Sequence, residues 1–228
     1  MLEFPVPKSI LKKGNVSLTL IGMSGVGKSH WSKRMENQGF LRYSCDDLIA
    51  ERLGQELDMK GKSTKNLARW MGQPYSKGYA KAEAFYLKLE SEVVSTICDE
   101  LEIRNQKDQQ VVVDTTGSLI YLEKKLLERL RNLTLTVQLR LPQERHEQLF
   151  ESYLMDPKPV IWRGKYLPRQ GEPPQKALAR CYRDLLFYRN DRYALLADCN
   201  LDYSFHHSTK TGVEELLYLV SKNYRIKS

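Results

Sequence analysis

The sequence predicts an α/β protein of three layers, a parallel sheet of about five strands with helices packed against it. Two observations carry the expectation. Short β-rich apolar runs alternate with longer helical patterns along the chain, and a glycine-rich stretch joins the first such run to the first helix. At 228 residues the chain is long enough to bury a sizeable core. It is 41% hydrophobic and 28% charged, and no apolar run approaches the roughly 18 residues that span a bilayer, so no membrane partner is expected.

Residues 1–14 read as an N-terminal extension, and residues 15–228 as a single domain. Pro5, Pro7, Lys8 and the Lys12-Lys13 pair deny the extension the continuous apolar core of a secretory signal. Val16 to Ile21 is the first strand, and Lys28 to Asn37 the helix that opens off it. Phe40 to Tyr43 is a weaker strand, followed by a helix over Asp46 to Leu53. Ala80 to Ile103 reads as one long helix with an apolar stripe of Ala84, Leu87, Leu89, Val93, Val94 and Ile97. Val111 to Val113 is a second buried strand, ending at Asp114 and the small polar stretch Thr115-Thr116-Gly117-Ser118. Tyr121 to Leu130 then reads as helix, Leu133 to Leu141 as strand and Gln143 to Leu154 as helix.

From about 155 to 174 the pattern breaks. Pro157, Pro159, Pro168, Pro173, Pro174, Gly164 and Gly171 accompany the cations Lys158, Arg163, Lys165 and Arg169. Helix and strand resume afterwards, over Gln175 to Leu196, Asn200 to Phe205 and Val213 to Tyr224, so the segment reads as a mobile basic lid rather than a linker.

Thirty-six Lys plus Arg against twenty-eight Asp plus Glu give a net charge of +8, which favours anionic partners without separating nucleic acid from a small phosphorylated molecule. Cys45, Cys98, Cys181 and Cys199 lie far apart with no CxxC, so neither a zinc site nor a disulfide framework is indicated, and a cytoplasmic location is expected.

Gly22-Met23-Ser24-Gly25-Val26-Gly27-Lys28-Ser29 satisfies GxxxxGK[ST] between an apolar strand and a helix, which makes the expected architecture a three-layer P-loop NTPase fold. Glycines let the backbone curl until successive N–H groups point at phosphate oxygens, at the positive end of the following helix. ATP is therefore the expected cofactor, held by Gly22, Ser24, Gly25, Val26, Gly27, Lys28, Ser29 and the backbone of His30, whose side chain reads as an ordinary helix residue. Lys28 would reach the β- and γ-phosphates, and the Ser29 hydroxyl would ligate Mg²⁺. Asp114 is placed like the carboxylate that orients metal-bound water; the alternative is a strand-end Asp that caps the next turn.

From Val16 to about Asp198 the chain resembles shikimate kinases and the related gluconate kinases. The family's D-x-D-x-x-I meets Ser44-Cys45-Asp46-Asp47-Leu48-Ile49. The resemblance implies that Asp46 holds the acceptor hydroxyl and acts as the base, while the metal-linked first Asp is replaced by Ser44. A triple glycine lining the acceptor pocket meets Thr115-Thr116-Gly117, so Thr116 and Gly117 are implied substrate-binding residues in a reshaped pocket. Arg189-Asn190-Asp191-Arg192-Tyr193 is similar to the family's R-x-P-x-Y, which implies that Arg189 grips an anionic group. The family's F-R-x-x-E meets Tyr79-Ala80-Lys81-Ala82-Glu83, without the Arg, and its lid motif meets Lys158-Pro159-Val160-Ile161, which implies Lys158 as the catalytic lid cation.

The resemblance thus implies phosphoryl transfer from ATP to a hydroxyl of a small anionic molecule, with Lys28, Asp46 and Lys158 catalytic. Two other readings remain. A nucleic-acid end kinase or nucleic-acid-binding ATPase would use Trp162 and Tyr166 of the lid to stack bases. A nucleotide-binding relative that has lost catalysis would explain Ser44, Ala80 and the threonine pair. No residue pattern sets the oligomeric state.

Overall fold

The computed structural model describes residues 17–56, 64–104, 109–155 and 159–225. Five strands form one sheet, β1 (Leu18–Ile21), β2 (Leu41–Ser44), β3 (Val111–Asp114), β4 (Leu135–Leu139) and β5 (Cys199–Leu201). Their order across the sheet is β2-β3-β1-β4-β5, and every pairing is parallel. Each residue of β1, β3 and β4 is buried, as it must be when both faces of a parallel sheet are covered. The helices are α1 (Lys28–Glu36), α2 (Cys45–Glu56), α3 (Thr64–Met71), α4 (Tyr79–Arg104), α5 (Lys124–Leu133), α6 (His146–Met155), α7 (Pro174–Leu196), α8 (Tyr203–His206) and α9 (Val213–Arg225). The α/β class, the parallel sheet and the strand-loop-helix context of the glycine-rich stretch are as the sequence predicts.

Local differences have local causes. Helix α3 is absent from the sequence reading, yet Leu67 and Met71, one turn apart, are 4% and 2% exposed, and Gly72 at φ 72 closes the helix with its N–H on the Ala68 carbonyl. The final strand stops at Leu201, because Asp202 turns the chain into α8 and accepts the N–H groups of Phe205 and His206. The helix expected from Tyr121 begins at Lys124, since Leu119, Ile120 and Leu122 are drawn into the core through a 3₁₀ turn that breaks at extended Leu122.

In α4 the buried stripe is Tyr86, Leu89, Glu90, Val93, Val94, Ile97 and Cys98, whereas Ala84 faces solvent. The stripe therefore carries a carboxylate at its centre. All four cysteines are buried. Among the described residues no helix is long and apolar enough to cross a membrane.

The register brings the carboxyl ends of three strands together: Leu20 of β1 and Ser44 of β2 both pair with Asp114 of β3. Strand order reverses about β1, and in open parallel sheets this is where a cleft opens outside the strand ends. Gly22, at φ 143, lies directly beyond β1, and a Cβ there would sit 2.7 Å from the Leu139 carbonyl oxygen of β4. Gly22→Ala should therefore cost about 2 kcal/mol or more, read as a lower denaturation midpoint in urea. An unchanged midpoint would show that this close approach does not constrain the loop.

Candidate active site

A cleft of about 310 Å³ lies over these strand ends, and Ser24, Gly25, Gly27, Lys28, Ser29, His30, Asp46, Thr116, Gly117 and Arg189 all line it. The glycine loop thus shares one cavity with the residues expected to hold an acceptor. Gly25 and Gly27 have φ 83 and 108, so the loop curls through conformations that side chains resist. Lys28 is 6% exposed, and its ammonium donates to the carbonyls of Gly22 at 3.0 Å and Met23 at 2.9 Å, stapling the loop around itself. Ser29 is exposed to the cleft, at the start of α1. Gly22 and Val26 stand behind the cradle: Val26 is 1% exposed and its N–H turns back to the Met23 carbonyl at 3.3 Å.

Asp114 sits below the cleft rather than on its wall. Its Oδ2 accepts Ser32 Oγ at 3.0 Å and Arg42 Nη2 at 3.3 Å, while Ser32 is also 3.3 Å from the Ser29 carbonyl. Arg42 further donates through Nε to Ser32 at 2.8 Å and lies 3.8 Å from Asp47. Asp114 Oδ1 is buried with no partner. A divalent cation on Ser29 with Asp114 oriented behind it fits this donor set, because that oxygen has an unused acceptor site. Arg42 was not singled out by the sequence. It stands two residues before Ser44, and it partly neutralises Asp114 where a second carboxylate is missing.

The cleft wall at Thr116 and Ser118 holds a second network that the sequence reading missed. Glu90 is 0% exposed; it accepts the Thr116 hydroxyl on Oε1 and the Ser118 hydroxyl on Oε2 at 2.6 Å. Gly117, between those two residues, brings the loop and α7 together: a Cβ there would make ordinary contacts, 3.4 Å from Arg189 Nη1 and 3.6 Å from the Ser24 nitrogen. Its carbonyl accepts Tyr193 Oη at 2.6 Å. Arg189 is 5% exposed, donating to the Ile161 carbonyl at 2.7 Å with its guanidinium carbon 5.6 Å from the Tyr121 ring centre.

The lid segment is irregular, as expected, but partly packed into the core. Lys158 lies outside the described residues, as does the extension 1–14. Val160, Ile161 and Trp162 are 7%, 1% and 1% exposed, and the first two line the cleft with Pro159. Glu83 Oε1 accepts the N–H groups of Trp162 at 2.6 Å and Arg163 at 2.8 Å, and Tyr79 Oη lies 2.7 Å from the Val160 carbonyl. Trp162, expected to offer a face to bases, is instead packed edge-on against Tyr182 and Tyr166. Arg163, Lys165 and Arg169 are exposed and do not line the cleft, and Lys165 covers the Tyr188 ring at 4.1 Å.

No protein-family model and no curated protein sequence matches the chain. Solved structures do. The shikimate kinase of Acinetobacter baumannii in complex with shikimate is 19% identical, with 94% of each chain covered and a TM-score of 0.56. The shikimate kinase of Aquifex aeolicus is 18% identical over 91% of this chain and 98% of its own, at a TM-score of 0.53. That of Bacteroides thetaiotaomicron is 16% identical over 93% and 96%, also at 0.53. The chain therefore has a shikimate kinase-like P-loop fold over nearly its whole length.

Burial pushes the Glu90 carboxyl up from 4.5 to about 7, against the opposing pull of the Ser118 and Thr116 hydroxyls. Between those two values the folded chain binds more protons at this site than the unfolded chain, so the contribution favours folding below about pH 4.5 and is lost as pH rises through about 7. Relative to Glu90→Gln, the wild type should lose about 3 kcal/mol of stability across that window, measured by urea denaturation at a series of pH values. Parallel pH profiles for the two proteins would contradict this.

Proposed function

We propose that this chain is an ATP-dependent phosphotransferase acting on a hydroxyl of a small anionic molecule. The observation that carries the reading is the single cleft, in which the Lys28-Ser29 cradle faces Asp46, Gly117 and Arg189. The shikimate kinase-like fold supports it, since the A. baumannii protein of that fold holds shikimate.

Phosphoryl transfer needs alignment and positive charge more than covalent help, because negative charge spreads over the transferring oxygens. The loop N–H groups and Lys28 would receive the β- and γ-phosphates. Ser29 would hold Mg²⁺ with Asp114 behind it, and the ion would supply charge compensation between the phosphates. Asp46, on the first turn of α2 and half-buried at the cleft, would hydrogen-bond the attacking hydroxyl and take its proton. Arg189 would meet the anionic group of the acceptor through the part of its fork not bonded to Ile161. Lys158 keeps its role as lid cation on the sequence resemblance. A cytoplasmic setting accords with the cysteine pattern. Burial of Trp162 takes one of the two stacking residues from the nucleic-acid reading, while Tyr166 is half-buried.

Calorimetry with Mg²⁺ and ATP should show binding by the wild type and a loss of about a hundredfold or more in Lys28→Ala, which removes the buried ammonium at the loop's centre. No heat of association for the wild type would end the proposal. Asp46→Asn should leave ATP affinity within about twofold while cutting transfer about a hundredfold, followed as ADP release with an acceptor present. Unchanged transfer would remove Asp46 as the base.

A further inference from the structure

Position 90 poses a question that the kinase reading leaves unanswered. An apolar side chain there would continue the α4 stripe of Tyr86, Leu89, Val93 and Val94 without the desolvation cost of a carboxylate. The chain instead buries a glutamate completely, and both its oxygens are engaged by side chains that line the cleft.

The directions of these hydrogen bonds have a chemical consequence. A hydroxyl has one hydrogen and two lone pairs. Thr116 and Ser118 both stand as donors to Glu90, their hydroxyl oxygens lie 2.9 Å from one another, and Thr116 Oγ1 also accepts the Ser118 N–H at 3.0 Å. With both hydrogens held within this network, by the carboxylate or by the neighbouring hydroxyl, the wall has only lone pairs to offer a ligand. A carboxylate or phosphate oxygen placed there would meet lone pairs backed by a buried negative charge. A hydroxyl or ammonium group would find acceptors.

We infer that Glu90 is a specificity-determining positioning residue: by holding the Thr116 and Ser118 hydroxyls it makes this stretch of the cleft accept hydrogen bonds only, selecting acceptor molecules that present donors to it. The inference rests on the kinase reading and deepens it. Arg189, across Gly117, takes the anionic group, and the Thr116-Ser118 wall takes the donors, so the two ends of an acceptor are told apart and the molecule enters in one orientation.

The charged and titratable groups around Glu90 are Asp46 and Cys45 of α2, Tyr86 of its own helix, and Arg189 and Tyr193 of α7. Asp46 raises the carboxyl and Arg189 lowers it, and burial outweighs both. Once Glu90 is protonated, its own O–H takes a lone pair of one hydroxyl oxygen and the negative charge that backs the wall is gone. Selection should therefore be strongest above about pH 7 and weaken below it.

The test uses the full chain with ADP and two matched pairs of acids, gluconate against hexanoate and quinate against cyclohexanecarboxylate. Each pair shares a carboxylate, and only its first member bears hydroxyls. By calorimetry at about pH 8, the hydroxylated member of at least one pair should bind the wild type about tenfold or more tighter than its counterpart. Glu90→Gln, whose amide donates where the carboxylate only accepts, should cut that ratio at least about threefold with ADP affinity unchanged. Ser118→Ala should do the same and serves if Glu90→Gln fails to fold. The wild-type ratio should fall similarly at about pH 6.

A smaller wild-type ratio in both pairs, absence of binding by both hydroxylated acids, a ratio that survives the substitutions, or a ratio independent of pH would each overturn the inference. Failure of the wild type to bind ADP would instead overturn the kinase reading itself.

Discussion

Gly22 passes the Leu139 carbonyl so closely that only a residue without a Cβ fits, and this contact fixes where the chain leaves β1 and curls toward α1. The curl sets the place of Lys28, whose ammonium is then buried against two carbonyls of the same loop. An anion arriving at the cradle would meet donors already in position, so little ordering remains to oppose its binding. The same strand ends carry Ser44 and Asp114 in register, which is why the glycine loop and the Thr116-Gly117-Ser118 stretch line one cavity.

Three departures from the shikimate kinase pattern acquire local partners. Where Ser44 stands in place of a carboxylate, Arg42 reaches across to Asp114. Where threonine replaces glycine, Glu90 rises beneath Thr116. Where Ala80 replaces an arginine, the neighbouring Tyr79 and Glu83 turn to the lid backbone. Each change of side chain is matched by a second group that satisfies it, the consistency across levels expected of a site under constraint. The result is a cleft lined by the cations Lys28, Lys33, Arg42 and Arg189 and the carboxylates Asp46 and Asp47, with Glu90 behind Thr116.

The fold was legible because its signals are local: β-rich apolar runs, helical spacing, and a loop motif whose glycines have no substitute. Ser24, Gly25, Gly27, Lys28, Ser29 and His30 of the loop and Asp46, Thr116, Gly117 and Arg189 were singled out by motif spacing and all line the cleft, while Gly22 and Val26 stand behind it. Glu90 was hidden because a single carboxylate in a long helix looks like a solvated residue until its neighbours on the third dimension are known. Its one sequence signal was its position on the stripe, four residues after Tyr86 and three before Val93. Arg42 was hidden by the weak strand that carries it. The prolines and cations of 159–173 announce a loop, and the described residues there form one, but they give no sign that Val160, Ile161 and Trp162 among them are core.

The four buried thiols bring an unplanned benefit. Cys45 lies at the start of α2, Cys98 inside α4, Cys181 under the Leu167 N–H, and Cys199 in the edge strand β5. Burial pushes the Cys45 thiol up, and that of Cys98 to about 11, so neither reacts readily while covered. Timed alkylation followed by peptide mass mapping would thus turn the native chain into its own set of regional opening sensors, with no dye or engineered label required.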